Sequence, residues 1–425
     1  MAHINLPYGS GSLSVSIADA DLGCVVQPAP MKPAAEFEQL IKDAIEQPIG
    51  ATALEDLAAP GQRVAIVVDD FTRKTPAAQI LPLILRLLEE QGIVDERINI
   101  IVASGTHRPM TETELQAKIG VEVLARYSVI KHLGHGHDEM LYLGDASNGI
   151  PAWVHRSVAE ADLRIGIGMI TPHDDAGFSG GSKIILPGVC SADTVTAFHA
   201  ATAFLGETQL GDIHSPIRLS LEAFVAERVP LNFIVNVILN VEGQVVQCVA
   251  GDPVQAHRRG VEHARRVFGV QVDRRYAFVL ANSYPYDVDF WQGTKGLFCG
   301  SLITEDGGCL ILSSAAIEGN SNYPRFPEYI GRPYRDLQNE IRGGQKQDAM
   351  VKAVAAKIGM IKDRIRLMLV SAGLEASDGQ AMGAPMFPTV EAALEEALRG
   401  VPKERRRGAV CVLPQAGVTL PMLYS

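Results

Sequence analysis

Four short stretches of this chain carry residue types able to bind and transform a small anion. They are Asp70-Phe71-Thr72-Arg73, Ser104-Gly105-Thr106-His107-Arg108, the run from Thr171 through His173 to Lys183, and Trp291-Gln292-Gly293-Thr294-Lys295. Each alone has an ordinary structural explanation. Asp70 can cap a turn, His107 can sit on the surface, and a glycine-rich loop can be only a loop. Taken together they carry more weight, because each follows an apolar run of strand length, and open α/β sheets bind ligands beyond the carboxyl ends of their strands. The segment Gly177-Phe178-Ser179-Gly180-Gly181-Ser182-Lys183 is the most informative. Its glycines allow positive φ and close backbone approach, and its amides can form an anion-binding nest. A lysine among them implies either phosphate contact or a nucleophilic amine. The spacing is not that of a Walker loop, and no GxGxxG lies between a strand and a helix. The second absence counts against a nicotinamide-dependent dehydrogenase. His199, in a helix expected to be capped by Asp193, is by itself an ordinary packed histidine.

The elements that must position these loops alternate along the chain. Apolar runs at 64–68, 98–103 and 164–170 precede helices expected at about 76–91, at 112–126 and from about 194. Thr75-Pro76 reads as an N-cap followed by proline at the first helical position, and Thr111 with Glu114 as a capping box. A basic helix over 253–268 ends at Gly269, and a new strand begins at Tyr276. The domain boundary is therefore placed at 268–275. The expectation is an N-terminal α/β domain over 1–269 and a C-terminal α/β domain over 274–425, with mainly parallel sheets flanked by helices. In the second domain the pattern predicts strands at 276–281, 308–313, 365–371 and 408–413, with helices at 348–358 and 389–399. The first 30 residues read as extended structure and turns.

A chain of 425 residues, 47% hydrophobic and 20% charged, is too long for one ordinary core and is not disordered. A net charge of −11 argues against a sequence-independent nucleic-acid binder, which needs a basic surface. The longest apolar runs, such as Val64–Val68, fall far short of a membrane span. Met1-Ala2-His3-Ile4-Asn5 shows no signal peptide, and six cysteines without a CxxC pair read as reduced thiols, so a cytoplasmic protein is expected.

In order and approximate spacing, Asp70 through Arg73, Ser104 through Arg108, His173 with Gly177–Lys183, His199 and Gln292-Gly293-Thr294-Lys295 together resemble nickel-dependent lactate racemase and its homologues. The resemblance spans both expected domains. It implies a racemase or epimerase of a 2-hydroxy carboxylic acid that uses a nickel-pincer nucleotide, Ni(II) pyridinium-3,5-bisthiocarboxylic acid mononucleotide, held between the domains. By the same resemblance Lys183 anchors the cofactor through a thioamide and His199 ligates nickel, while His107 and His173 form the acid–base pair. Asp70, Phe71, Thr72 and Arg73 line the nucleotide, and Arg73, Gln292 and Lys295 contact substrate or cofactor.

That chemistry suits these residue types. The α-hydrogen of a 2-hydroxy acid is a poor acid, so a hydride route avoids the carbanion, and two opposed histidines serve the two enantiomers. Arg73 and Lys295 supply a carboxylate clamp. Three cofactor donors and one imidazole suit square-planar Ni(II). Trp291 stands where a tyrosine is expected in lactate-specific members, which opens the substrate to larger 2-hydroxy acids. The implied partners are cofactor-maturation proteins, without which the chain is expected as an apoprotein. Neither nucleic acid nor a membrane is implied, and homo-oligomer formation is left open.

Two other classes compete. Three histidines and a carboxylate in His132-Leu133-Gly134-His135-Gly136-His137-Asp138 have the density of a zinc site, which allows a zinc-dependent hydrolase built on His132, His135 and His137. The plainer reading is a polar surface turn. A non-catalytic binder of an anionic metabolite needs Arg73 and Lys295 but has no use for a histidine pair.

Overall fold

The computed structural model describes residues 1–134 and 138–424. Two mainly parallel sheets organise it. In the first, six strands lie in the order Val245–Gly251, Phe233–Leu239, Leu163–Met169, Val64–Asp69, Ile98–Ala103 and Ser128–Lys131. All pairings are parallel except that of the edge strand Val245–Gly251. Val64–Asp69 and Phe233–Leu239 are buried along their whole length, as strands covered on both faces must be. The second sheet runs Arg366–Val370, Thr304–Ser313, Tyr276–Asn282, Val410–Leu413, Leu22–Val25, and is parallel throughout.

The order of the strands creates the cleft. From Val64–Asp69 the chain works outward to Ser128–Lys131, then returns to the other side of its first strand with Leu163–Met169. The loops after Val64–Asp69 and Leu163–Met169 thus flank a topological switch point, where a crevice opens at the carboxyl ends of the strands. Tyr276–Asn282 and Val410–Leu413 make a second switch point in the second sheet.

Several expectations need correction. The first 25 residues do not belong with the first sheet. Leu22–Val25 is the edge strand of the second, and the hairpin Ala2–Tyr8/Gly11–Ile17 packs Leu6, Val15 and Ile17 into the core around Phe278 and Leu280. The single helix expected at 112–126 is broken at Gly120, whose φ of 89° ends Glu112–Ile119 before Val121–Arg126 begins. Thr111 and Glu114 do form the capping box. Thr75 is not an N-cap: its hydroxyl donates to the Asp69 carboxylate, and the helix starts at Ala77. Asp69 also pairs with the buried Lys118 at 2.6 Å, and Lys118 donates to the Arg73 carbonyl at 2.8 Å. That ties down the base of the 70–74 loop. Ser191, not Asp193, caps the helix Ala192–Ala200, its Oγ accepting the Thr194 amide. No helix among the described residues is long and apolar enough to cross a membrane.

Candidate active site between the two sheets

Asp70, Thr72, Arg73, His107, His173, Lys183, His199, Trp291, Gln292 and Lys295 all line one cavity, although they come from five separate segments of the chain. Phe71 is the exception. Its ring lies under the Arg108 guanidinium, 3.9 Å from centroid to Cζ, and faces the neighbouring vestibule. Gln292 and Lys295 are not in a loop, as their place after a strand suggested. They occupy the first turns of the helix Phe290–Leu302, which Asp289 caps by accepting the Gln292 amide at 2.7 Å.

A directed hydrogen-bond chain crosses the cleft. Lys295 Nζ donates to Gln292 Oε1, and Gln292 Nε2 lies 3.3 Å from His107 Nε2. His107 Nδ1 lies 2.6 Å from Asp70 Oδ2. Asp70 Oδ1 accepts the Thr72 hydroxyl and amide at 2.6 and 3.1 Å. Because an amide nitrogen and an ammonium can only donate here, His107 carries its proton on Nδ1 and presents a lone pair at Nε2. Burial alone would raise the Asp70 carboxyl. The combined pull of His107, Thr72 and Arg73 overcomes it and holds Asp70 well below the usual carboxylate range.

His173 is set differently. Its Nδ1 accepts the Asp175 amide at 3.1 Å, which leaves the neutral ring with its proton on Nε2. The Asp174 carboxylate also approaches Nδ1, at 3.4 Å, and becomes its ion-pair partner only when the ring is protonated. Burial, then the ammonium groups of Lys183 and Lys295, hold His173 well below the usual histidine range.

Three cations face this space. Burial, followed by the Arg73 guanidinium, pushes Lys183 down to about 8 and Lys295 down to about 7. Lys183 is presented by a tight loop. Gly180 and Gly181 have φ of 78° and 60°, and a Cβ on either would come within 2.8 Å of Asn236 Oδ1 or Arg218. Asn236 Oδ1 accepts the Gly181 amide at 2.8 Å, and the buried Arg218 donates to the Phe178 carbonyl at 3.2 Å. His199 points Nδ1 at Asp175 Oδ2, 3.2 Å away, so its other nitrogen is available to a metal. Asp175 is held in turn by Lys357, reaching across from the helix Ala349–Arg364.

Asn236, Asp174, Asp175 and Lys357 were missed by the reading of the sequence. The signal was there for two of them. Asn236 interrupts the apolar strand Phe-Ile-Val-Asn-Val-Ile-Leu, and Lys357 interrupts the apolar face of its helix.

A model of the lactate racemase N-terminal domain matches residues 8–211. The lactate racemase of Lactiplantibacillus plantarum is 30% identical over 325 residues, covering 75% of this chain and 76% of that protein. The chain belongs to the lactate racemase family. Lactate racemase of Thermoanaerobacterium thermosaccharolyticum is 28% identical over 84% of this chain and 85% of its own length. The structure of the lactate racemase apoprotein from the same organism superimposes with a TM-score of 0.88 at 25% identity, covering 99% of this chain and all of that one. A Thermotoga maritima structure at 21% identity and TM-score 0.69 shares the fold. As a lactate racemase family member the chain is an isomerase of the racemase class. His132 is buried with Nε2 3.0 Å from the Cys190 carbonyl, His135 and His137 lie outside the described residues, and no metal-binding cluster of three or more ligands occurs among those described.

Proposed function

We propose that the chain racemises a 2-hydroxy carboxylic acid, lactate or a larger relative, with a nickel-pincer nucleotide anchored on Lys183. The observation that carries this reading is the convergence of His107, His173, Lys183 and His199 on one cavity ringed by Arg73 and Lys295. The cavity opens to solvent and is lined from both sides of the cleft, by Arg73, His107 and Lys183 on one and Gln292 and Lys295 on the other.

The residues fit the cofactor. Lys183 has no hydrogen bond or ion pair among the described residues, and its lowered pKa favours the free amine needed for acylation. His199 keeps one nitrogen for nickel while Asp175 fixes the other, the usual carboxylate–histidine arrangement of metal sites. When bound, the group supplies a hydride acceptor. The protein moves the proton. His107 Nε2 takes it from the hydroxyl of one enantiomer, with Asp70 stabilising the imidazolium. His173 serves the other enantiomer from its second tautomer: with the proton on Nδ1, toward Asp174, its Nε2 is free to take the hydroxyl proton, and Asp174 then pairs the charged ring. Joining Lys183 to a thioamide removes one of the cations that depress His173. Arg73 and Lys295 hold the carboxylate while the keto acid turns.

Trp291 is a fixed wall of this pocket, packed 4.7 Å from the Tyr323 ring and 4.9 Å from Phe326. Its breadth supports a substrate side chain other than methyl. Six free cysteines support a cytoplasmic location, and maturation proteins are the partners that loading requires. The deciding experiment is the intact mass of the chain from a host supplied with those proteins. A nucleotide-sized adduct that disappears in Lys183→Ala is expected. An adduct retained in Lys183→Ala overturns the anchor.

A further inference from the structure

The helix Ala349–Arg364 is built almost wholly from alanine, valine, isoleucine and methionine on its buried side, yet Lys357 lies in the middle of it at 1% exposure. Its Nζ reaches across the cleft to Asp175 Oδ1 and lies 3.3 Å from Asp174 Oδ2. The ammonium also sits over the Phe298 ring, 4.3 Å from its centroid. A buried ammonium is costly unless paired, and a helix of this composition packs equally well around an apolar residue. Burial would lower the Lys357 ammonium, but Asp175 and Asp174 more than offset that and raise it, so it stays charged. Both carboxylates have a second task. Asp175 Oδ2 lies 3.2 Å from His199 Nδ1, and Asp174 Oδ1 lies 3.4 Å from His173 Nδ1.

From this chain of contacts we infer that Lys357 is a positioning residue for the metal ligand, acting across the two domains: it fixes Asp175, which fixes the tautomer and ring plane of His199. The inference rests on the cofactor reading above and adds a residue to it. The second domain thereby contributes to nickel binding without offering a ligand, and the site is complete only when Ala349–Arg364 is docked on the first domain. Outer partners of metal-bound histidines are worth about 10- to 100-fold in metal affinity.

The test compares wild type, Lys357→Met, Lys357→Arg and Asp175→Asn from a maturation-competent host. It reads adduct mass, nickel per chain after graded challenge with EDTA, and the visible absorption of the nickel centre. Lys357→Met is expected to keep the adduct mass, release nickel at about 10- to 100-fold lower EDTA and shift the absorption. Lys357→Arg should recover most of the loss, which a purely packing role would not predict. If Lys357→Met does not fold, Asp175→Asn leaves the ammonium paired with Asp174 and should show the same nickel loss. Wild-type nickel retention and spectrum in Lys357→Met, or in Asp175→Asn where Lys357→Met does not fold, overturns the inference alone. A wild-type chain with neither adduct nor nickel overturns the cofactor reading, and this inference with it.

Discussion

His107 Nδ1 stands 2.6 Å from the buried Asp70 carboxylate, while His173 Nδ1 accepts a backbone amide, so the two histidines of this cleft present opposite faces of the protonation cycle to the same cavity. One offers a lone pair at Nε2, the other a proton. A pair set this way starts each turnover with a defined base, and Asp70 is what defines it.

Asp70→Asn should therefore impair the proton transfer at His107 specifically. The neutral amide neither fixes the Nδ1–H tautomer nor stabilises the imidazolium, and a loss of about 10²-fold or more in racemisation is expected. The two enantiomers have equal free energy, so kcat/KM falls equally from both sides and steady-state rates hide the asymmetry. Single-turnover keto acid formation exposes it, with the defect confined to one enantiomer. Equal defects for both would remove Asp70 from His107 chemistry.

Lys295 gives the substrate clamp a pH dependence. Its pKa is pushed down to about 7, first by burial and then by Arg73. Below that value the ammonium is present and attracts a carboxylate; above it the free amine does not. KM for a 2-hydroxy acid should accordingly rise as pH climbs through about 7. In Lys295→Arg the rise should vanish, because a guanidinium does not titrate in this range. A KM profile that is unchanged in Lys295→Arg assigns the titration to another group.

Much of this site was legible because polar residues broke apolar runs at the ends of strands, and such breaks are local in sequence. Arg73, His107 and His173 are all of that kind. The rest depends on contacts that sequence does not display. Leu22–Val25 joins the second sheet beside Val410–Leu413, a parallel pairing between segments at opposite ends of the chain that no periodicity reports. Lys357 reads as a stray charge in a helix until Asp174 and Asp175 are placed against it. The cap at Ser191 was misplaced at Asp193 because two good capping residues lie two positions apart, and only the Thr194 amide chooses between them.

The cleft is bridged in this structure by Gln292 to His107, by the Tyr323 hydroxyl to Thr106 Oγ1 at 3.1 Å, and by Arg108 to Glu318 at 3.0 Å. Closure of this kind excludes water from a keto intermediate. The Arg108–Glu318 pair is partly exposed, and exposed pairs contribute about 0–1 kcal/mol. Glu318→Ala should then raise KM by only about 5-fold or less, with kcat unchanged. Solution scattering of the loaded enzyme should show compaction on adding oxamate. A large kcat defect in Glu318→Ala would mean that the pair does more than latch the mouth.

The histidine pair makes the sharpest prediction. If His107 and His173 face opposite enantiomers, each acts once in every turnover, and neither alanine variant can racemise at more than about one hundredth of the normal rate. Half of the reaction should nevertheless survive in each. With His173 removed, His107 and Asp70 still take the hydroxyl proton of the enantiomer that faces them, and enzyme-bound keto acid accumulates from that enantiomer alone. With His107 removed, the surviving half-reaction should be that of the other enantiomer. Quenching one turnover of loaded enzyme with each pure enantiomer and measuring keto acid gives four numbers. The pattern must invert between His107→Ala and His173→Ala. If both variants lose the same half-reaction, the two rings do not serve opposite faces, and Asp70 and Asp174 must be assigned to some other task.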